Sequence, residues 1–133
     1  MIGGIEWIVD AFECRASALR DRQCVATLFE RIVDEADLHV VTTAEHVFEG
    51  AGGVTVMYLL AESHLTIHTF PEVGTATLNL YCCRPRAPLD WARLLEAELG
   101  AGRVTVRTAR RGDAPTISLP EAVAELPAAA AEP

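Results

Sequence analysis

Nowhere in the 133 residues is there an uninterrupted apolar run of about eighteen, the length at which a helix can span a bilayer, and no basic region precedes an apolar stretch near the N-terminus. Membrane-embedded and exported classes are not expected, and a cytoplasmic protein is. Positive charge is scarce as well: 11 Lys and Arg against 19 Asp and Glu leave a formal net charge of -8 and a pI near 4.9. Such a field repels nucleic acid and anionic membrane and attracts a cationic small molecule. Cysteine is limited to Cys14, Cys24, Cys82 and Cys83, with no paired metal-ligand spacing. Free thiols in a reducing compartment are expected, with adjacent Cys82 and Cys83 on opposite faces of a strand. No internal repeat is present.

What remains suits one globular domain. Hydrophobic residues make up 50% of the chain, enough for one core but not two. The expected domain covers residues 1–117, and the Ala/Pro/Glu-rich stretch 118–133 is expected to be a disordered tail. Ile5, Trp7, Val9 and Ala11 alternate with Glu6, Ile8, Asp10 and Phe12 as in a first strand. Val25, Leu28, Phe29, Ile32, Val33 and Ala36 form one buried helical stripe, leaving Arg22, Glu30, Arg31 and Asp34 to solvent. Leu38 to Phe48 predicts a second strand, ended by the glycine-rich turn Glu49 to Gly53. Val54 to Ala61, His64 to Thr69 and Thr75 to Cys82 predict three more, with Pro71 closing the middle one. Asp90 caps a second helix carrying Trp91, Leu94, Leu95 and Leu99 and stopped by Gly100, before a last strand from Val104 to Thr108. The expected fold is α+β: a two-layer sandwich, an antiparallel sheet with two helices on one face.

The chemistry concentrates in Glu62-Ser63-His64-Leu65-Thr66-Ile67-His68-Thr69-Phe70-Pro71-Glu72. A hydroxyl directly after a carboxylate residue, with imidazoles nearby, suits an acyl shift in which Ser63 attacks the carbonyl of Glu62 and a histidine moves the protons. A zinc site from Glu62, His64 and His68 is the competing reading; no further well-spaced ligand supports it, and no metal is expected.

This string resembles the self-processing site of the prokaryotic S-adenosylmethionine decarboxylase proenzymes, Glu-Ser-His-Leu-x-x-His-Thr-Trp-Pro-Glu, and differs from it at Phe70, where the family carries tryptophan. Similarity extends to Glu13-Cys14, His46-Val47-Phe48, Gly53-Val54-Thr55, Cys83 and Arg110-Arg111-Gly112. The resemblance implies self-cleavage between Glu62 and Ser63 into chains 1–62 and 63–133, a pyruvoyl cofactor derived from Ser63, a homodimer with active sites near the interface, and S-adenosylmethionine as substrate. Its product would be the aminopropyl donor for spermidine synthesis. It assigns processing to Glu62, Ser63, Thr55 and His68, with Thr55 in place of a family serine. Cys83 would donate a proton to the substrate carbon, a task that suits a thiol. Glu72 would bind the ribose hydroxyls, Phe48 and Phe70 would bracket the adenine and sulfonium, and His64 would help shape the site. Residues 63 and 68 have opposite strand parity, so a turn at Ser63 is expected between them. Because Phe70, Thr55 and Asn79 depart from the family pattern, arginine or ornithine is the alternative substrate. A catalytically silent regulatory subunit is a further alternative, opposed by the joint presence of Ser63, His68 and Cys83.

Overall fold

The computed structural model describes residues 3–84 and 86–112, so the expected tail lies outside the described residues. Strand β1 (Gly4–Phe12) leads into a one-turn helix α1 (Ala16–Leu19) and the long helix α2 (Arg22–Glu35). Strands β2 (Val40–Val47), β3 (Val54–Leu60) and β4 (Ser63–Phe70) follow, then a 3-10 turn (Pro71–Val73), β5 (Thr75–Cys82), helix α3 (Trp91–Leu99) and β6 (Arg103–Arg111). The strands form one sheet in the order β2-β3-β4-β5-β1-β6, every neighbour antiparallel.

Strand parity decides which face is dry. Trp7, Val9 and Ala11 of β1, Leu65 and Ile67 of β4, and Ala76, Leu78, Leu80 and Cys82 of β5 are buried, and they join the helix residues in one core. Helix α2 contributes Val25, Leu28, Phe29 and Ile32, and α3 contributes Trp91, Leu94, Leu95 and Leu99. Burying each such side chain stabilises the fold by about 1.5–3 kcal/mol. The Phe29 ring meets Tyr58 edge-on at 4.9 Å, docking α2 on β3, and Arg31 reaches Glu98 at 2.8 Å to tie α2 to α3. The opposite face of the sheet carries no helix among the described residues. No described helix is long and apolar enough to cross a membrane.

Both predicted helices are present, and α3 starts and stops at the expected Asp90 and Gly100, whereas the Asp21 cap of α2 was not singled out in the sequence. The Asp21 carboxylate accepts from the Gln23 N–H at 2.8 Å, Asp90 accepts from the Arg93 N–H at 3.1 Å, and Gly100 turns left-handed at φ 70° to stop α3. Helix α1 is additional: four residues show no amphipathic period, and packing of Ala18 and Leu19 holds it. Strand β2 is shorter than the expected Leu38–Phe48, because Asp37 takes a positive φ of 54° and directs Leu38 into the core. Strand β6 runs longer than Val104–Thr108. It pairs with β1 over its whole length, and its solvent-facing arginines conceal the strand pattern.

Candidate active site

Strands β3 and β4 are joined by a two-residue turn, Ala61–Glu62, closed by the pairing of Leu60 with Ser63. The Glu62–Ser63 peptide is therefore the joint between turn and strand. The carbonyl of Glu62 accepts the Cys83 N–H at 3.2 Å, and its carboxylate is paired with Arg84, whose Nη2 lies 2.7 Å from Oε2 while Nε meets Oε1. Ser63 stands directly opposite Cys82 on β5, on the helix-covered side. The Cys82 thiol is almost fully buried. Burial pushes its pKa up, and the neighbouring Arg86 guanidinium and Ser63 hydroxyl pull in the other direction. A cavity of about 420 Å³ opens beside Ser63, lined also by Asp37, His39, Arg84 and Arg86. Cys83 emerges exposed on the opposite, helix-free face, where His64 stacks on Tyr81 with centroids 5.6 Å apart.

The C-terminal end of β4 holds a second group. Thr55 and His68 are register partners, and Thr55 Oγ1 lies 2.8 Å from His68 Nδ1. His46 pairs with Thr55 from the other side and meets the Phe48 ring edge-on at 5.0 Å. The Phe48 N–H donates to the Gly53 carbonyl at 2.7 Å. Any Cβ at Gly53 would fall 2.4 Å from the Thr69 carbonyl oxygen, so glycine is what lets β3 and β4 close here. Phe48 and Phe70 thus flank a residue with no side chain, both substantially exposed. Thr69 fixes this end: its buried hydroxyl accepts the Val54 N–H and donates to the Leu19 carbonyl, each at 2.8 Å. Glu72 is exposed in the 3-10 turn that follows.

The residues singled out in the sequence thus fall into two groups. Glu62, Ser63, His64 and Cys83 gather at the start of β4; Thr55, His68, Phe48, Phe70 and Glu72 gather at its end. The expected turn between Ser63 and His68 is absent. The chain turns one residue earlier, at Ala61–Glu62, and Ser63 is already laddered to both Leu60 and Cys82. His68 therefore lies on the other face and about 16 Å along the strand, and Phe70 about 23 Å along it. The same spacing separates His64 from His68 by about 13 Å, and among the described residues no three His, Cys, Asp or Glu side chains gather as a metal site. Three neighbours of Ser63 escaped the sequence: Cys82, expected there only as a free thiol on the face opposite Cys83, and Arg84 and Arg86. The parity of Cys82 would identify it only once the β4–β5 register is known. Asn79, noted for departing from the family pattern, donates to Glu6 at 2.5 Å.

The model of a family described as S-adenosylmethionine decarboxylase matches residues 5–112. A protein of Acidithiobacillus ferrooxidans named S-adenosylmethionine decarboxylase proenzyme is 31% identical over 88% of this chain and 88% of its own. Proteins with the same name from Saccharolobus solfataricus and Prochlorococcus marinus (strain MIT 9211) are 32% and 34% identical, covering 75% and 81% of this chain and 80% and 88% of theirs. Among solved structures, the adenosylmethionine decarboxylase from Aquifex aeolicus superimposes with a TM-score of 0.71 at 26% identity, over 89% of this chain and 98% of that one.

Proposed function

We propose, from the premise that the chain belongs to the S-adenosylmethionine decarboxylase family, that it is a proenzyme that cleaves itself between Glu62 and Ser63. The cleaved protein then removes the carboxyl group of S-adenosylmethionine to give the aminopropyl donor for spermidine synthesis. One observation carries this reading: a hydroxyl on residue 63 adjoins a carbonyl on residue 62 that already accepts the Cys83 N–H. Attack of the Ser63 Oγ on that carbonyl carbon builds negative charge on its oxygen, where the N–H stabilises it. The peptide C–N bond breaks and an ester forms. Loss of the Ser63 α-proton then expels the Glu62 carboxylate by β-elimination, and the resulting dehydroalanine tautomerises and hydrolyses to a pyruvoyl group with release of ammonia. Chains 1–62 and 63–133 result.

The ketone so made supplies the electron sink for decarboxylation that ordinary side chains lack. All 11 cationic residues are arginine, so these 133 residues offer no lysine ε-amine to carry a cofactor instead. Proton removal at Ser63 needs a base, and His68 of the same chain lies about 16 Å along the strand. A second copy answers this. In a two-fold pair each protomer lends its Ser63 end to one site and its Thr55–His68 end to the other, so a single self-complementary contact completes both. The helix-free face supports the pairing with exposed Met57, Leu59, Phe48 and Phe70. In such a site Cys83 is the proton donor to the substrate carbon, Glu72 binds the ribose hydroxyls, and Phe48 and Phe70 take the adenine and sulfonium by stacking and cation–π attraction. His64 packs beside them.

The experiment is intact mass on purified protein after prolonged incubation, followed by carbon dioxide release from carboxyl-labelled S-adenosylmethionine, arginine and ornithine. Two masses, one ending at Glu62 and one blocked at position 63, are expected, with release from S-adenosylmethionine alone. A single uncleaved mass sinks the processing step, and release from arginine or ornithine alone sinks the substrate.

A further inference from the structure

The cavity beside Ser63 holds a cation that the uncleaved chain uses only in part. Arg84 is committed through two nitrogens to the Glu62 side chain. Arg86 uses Nη1, which donates to the Ala36 carbonyl at 2.9 Å and the Asp37 carbonyl at 3.2 Å, closing the end of α2. Its Nε is buried and meets no hydrogen-bond acceptor, a costly state for a charged donor. The same guanidinium lies beside the Cys82 thiol, which faces Ser63 across the ladder.

We propose that Arg86, with Arg84 anchoring the side chain of the same residue, is the receiving site for the carboxylate that cleavage creates at the main chain of Glu62. This rests on the self-cleavage reading. The acyl shift converts the 62–63 peptide into an ester on Ser63 Oγ. β-Elimination breaks the Oγ–Cβ bond, both electrons leave with the Glu62 carboxylate, and the Ser63 α-proton passes to the base. Residue 63 ends as a ketone and gains no ammonium, so the cavity acquires one negative charge with no new positive charge beside it. Glu62 then carries two carboxylates, and two guanidiniums stand ready for them; Asp37 and His39 are the other charged or titratable groups of the wall. Seating on Arg86 draws the new chain end toward the end of α2, away from residue 63, and leaves the ketone open to an incoming amine.

Glutamate labelled with ¹³C at its main-chain carboxyl carbon tests this in the cleaved protein, because only a chain-terminal glutamate carbonyl titrates. In the wild type the midpoint should fall below the ordinary α-carboxyl range of about 3.3–3.7, since a guanidinium favours the ionised form. Arg86→Gln should raise it by about one unit, a tenfold gain in proton affinity. Arg86→Lys, which keeps the charge, should recover part of the lowering and separates loss of the cation from loss of the fold. The same midpoint in all three proteins overturns the proposal while leaving self-cleavage standing. No titrating signal at all means that the chain is not cleaved, and the proposal falls together with the reading on which it rests.

Discussion

At its N-terminal end β4 emerges from a two-residue turn among charges and thiols: Glu62 paired with Arg84, Ser63 facing Cys82, and Arg86 behind them. At its C-terminal end the strand runs into an aromatic and hydroxyl-rich setting, with Thr55 on His68, Phe48 and Phe70 on either side of Gly53, and Thr69 locked to α1. On the self-cleavage proposal the first end has a nucleophile and a scissile carbonyl, with His39 in the cavity wall as the imidazole beside them and His68 far along the strand. The second has His68 and the aromatic rings but nothing to cleave. A paired strand does not fold back on itself, so seven residues at about 3.3 Å each keep the two ends apart. On the reading proposed above, the difference means that this chain carries two halves of a site, whose chemistry depends on bringing unlike ends together.

The sharpest way to break the comparison is to disable one end per molecule. Ser63→Ala and His68→Ala should each remain uncleaved when made alone. Made together, His68→Ala chains should be cleaved by the intact His68 of Ser63→Ala partners, an all-or-none change visible on a denaturing gel. Absence of any cleaved chain in the mixture would mean that the ends do not meet across copies.

The two adjacent thiols allow a finer division. Cys83→Ala should still be cleaved, yet turnover per cleaved site should fall by about a hundredfold or more, the usual contribution of a positioned general acid. Cys82→Ala is expected to do the reverse, slowing cleavage because the thiol lies against the Ser63 hydroxyl and leaving turnover of cleaved protein nearly unchanged. Single-turnover assays on separated cleaved material distinguish the two, and equal behaviour of both variants would remove the division of labour. A smaller effect is expected at the other end of β4. Glu72→Gln should weaken substrate binding by about 1.5–3 kcal/mol through loss of charge-assisted hydrogen bonds. It should appear in KM with cleavage unaffected.

Much of this was legible in the sequence, for identifiable reasons. Helices α2 and α3 announce themselves because apolar stripes, and for α3 the cap Asp90 and the stop Gly100, are local signals. The parity conflict between Ser63 and His68 was legible as well, but its resolution was not. A turn between them was the natural inference, whereas the turn sits at Ala61–Glu62 and the conflict persists in the fold. Helix α1 is too short to show a period. Cys82, Arg84 and Arg86 become neighbours of Ser63 only through the β4–β5 register and the path that follows β5, both long-range facts that no spacing rule contains.

The smallest expected effect sharpens the view of the Ser63 end as the charged one. Glu6 of β1 lies opposite Tyr81, on which His64 stacks. Its carboxylate accepts from Asn79 and from Arg111 at 2.7 Å. The Asn79 hydrogen bond, followed by Arg111, holds the Glu6 pKa below the ordinary carboxylate value. A carboxyl group with a lowered pKa in the folded state binds fewer protons there than in the unfolded chain. Its stabilising contribution is thus fully present above the unfolded value, about 4.3, shrinks as the pH falls through that value, and is gone below the lowered one. Asn79→Ala should therefore lower urea stability modestly near neutral pH, with the gap to wild type narrowing as the pH drops below about 4. A gap independent of pH would assign the loss to packing at Asn79, and the charge organisation of this end would then rest on Glu62, Arg84 and Arg86 alone.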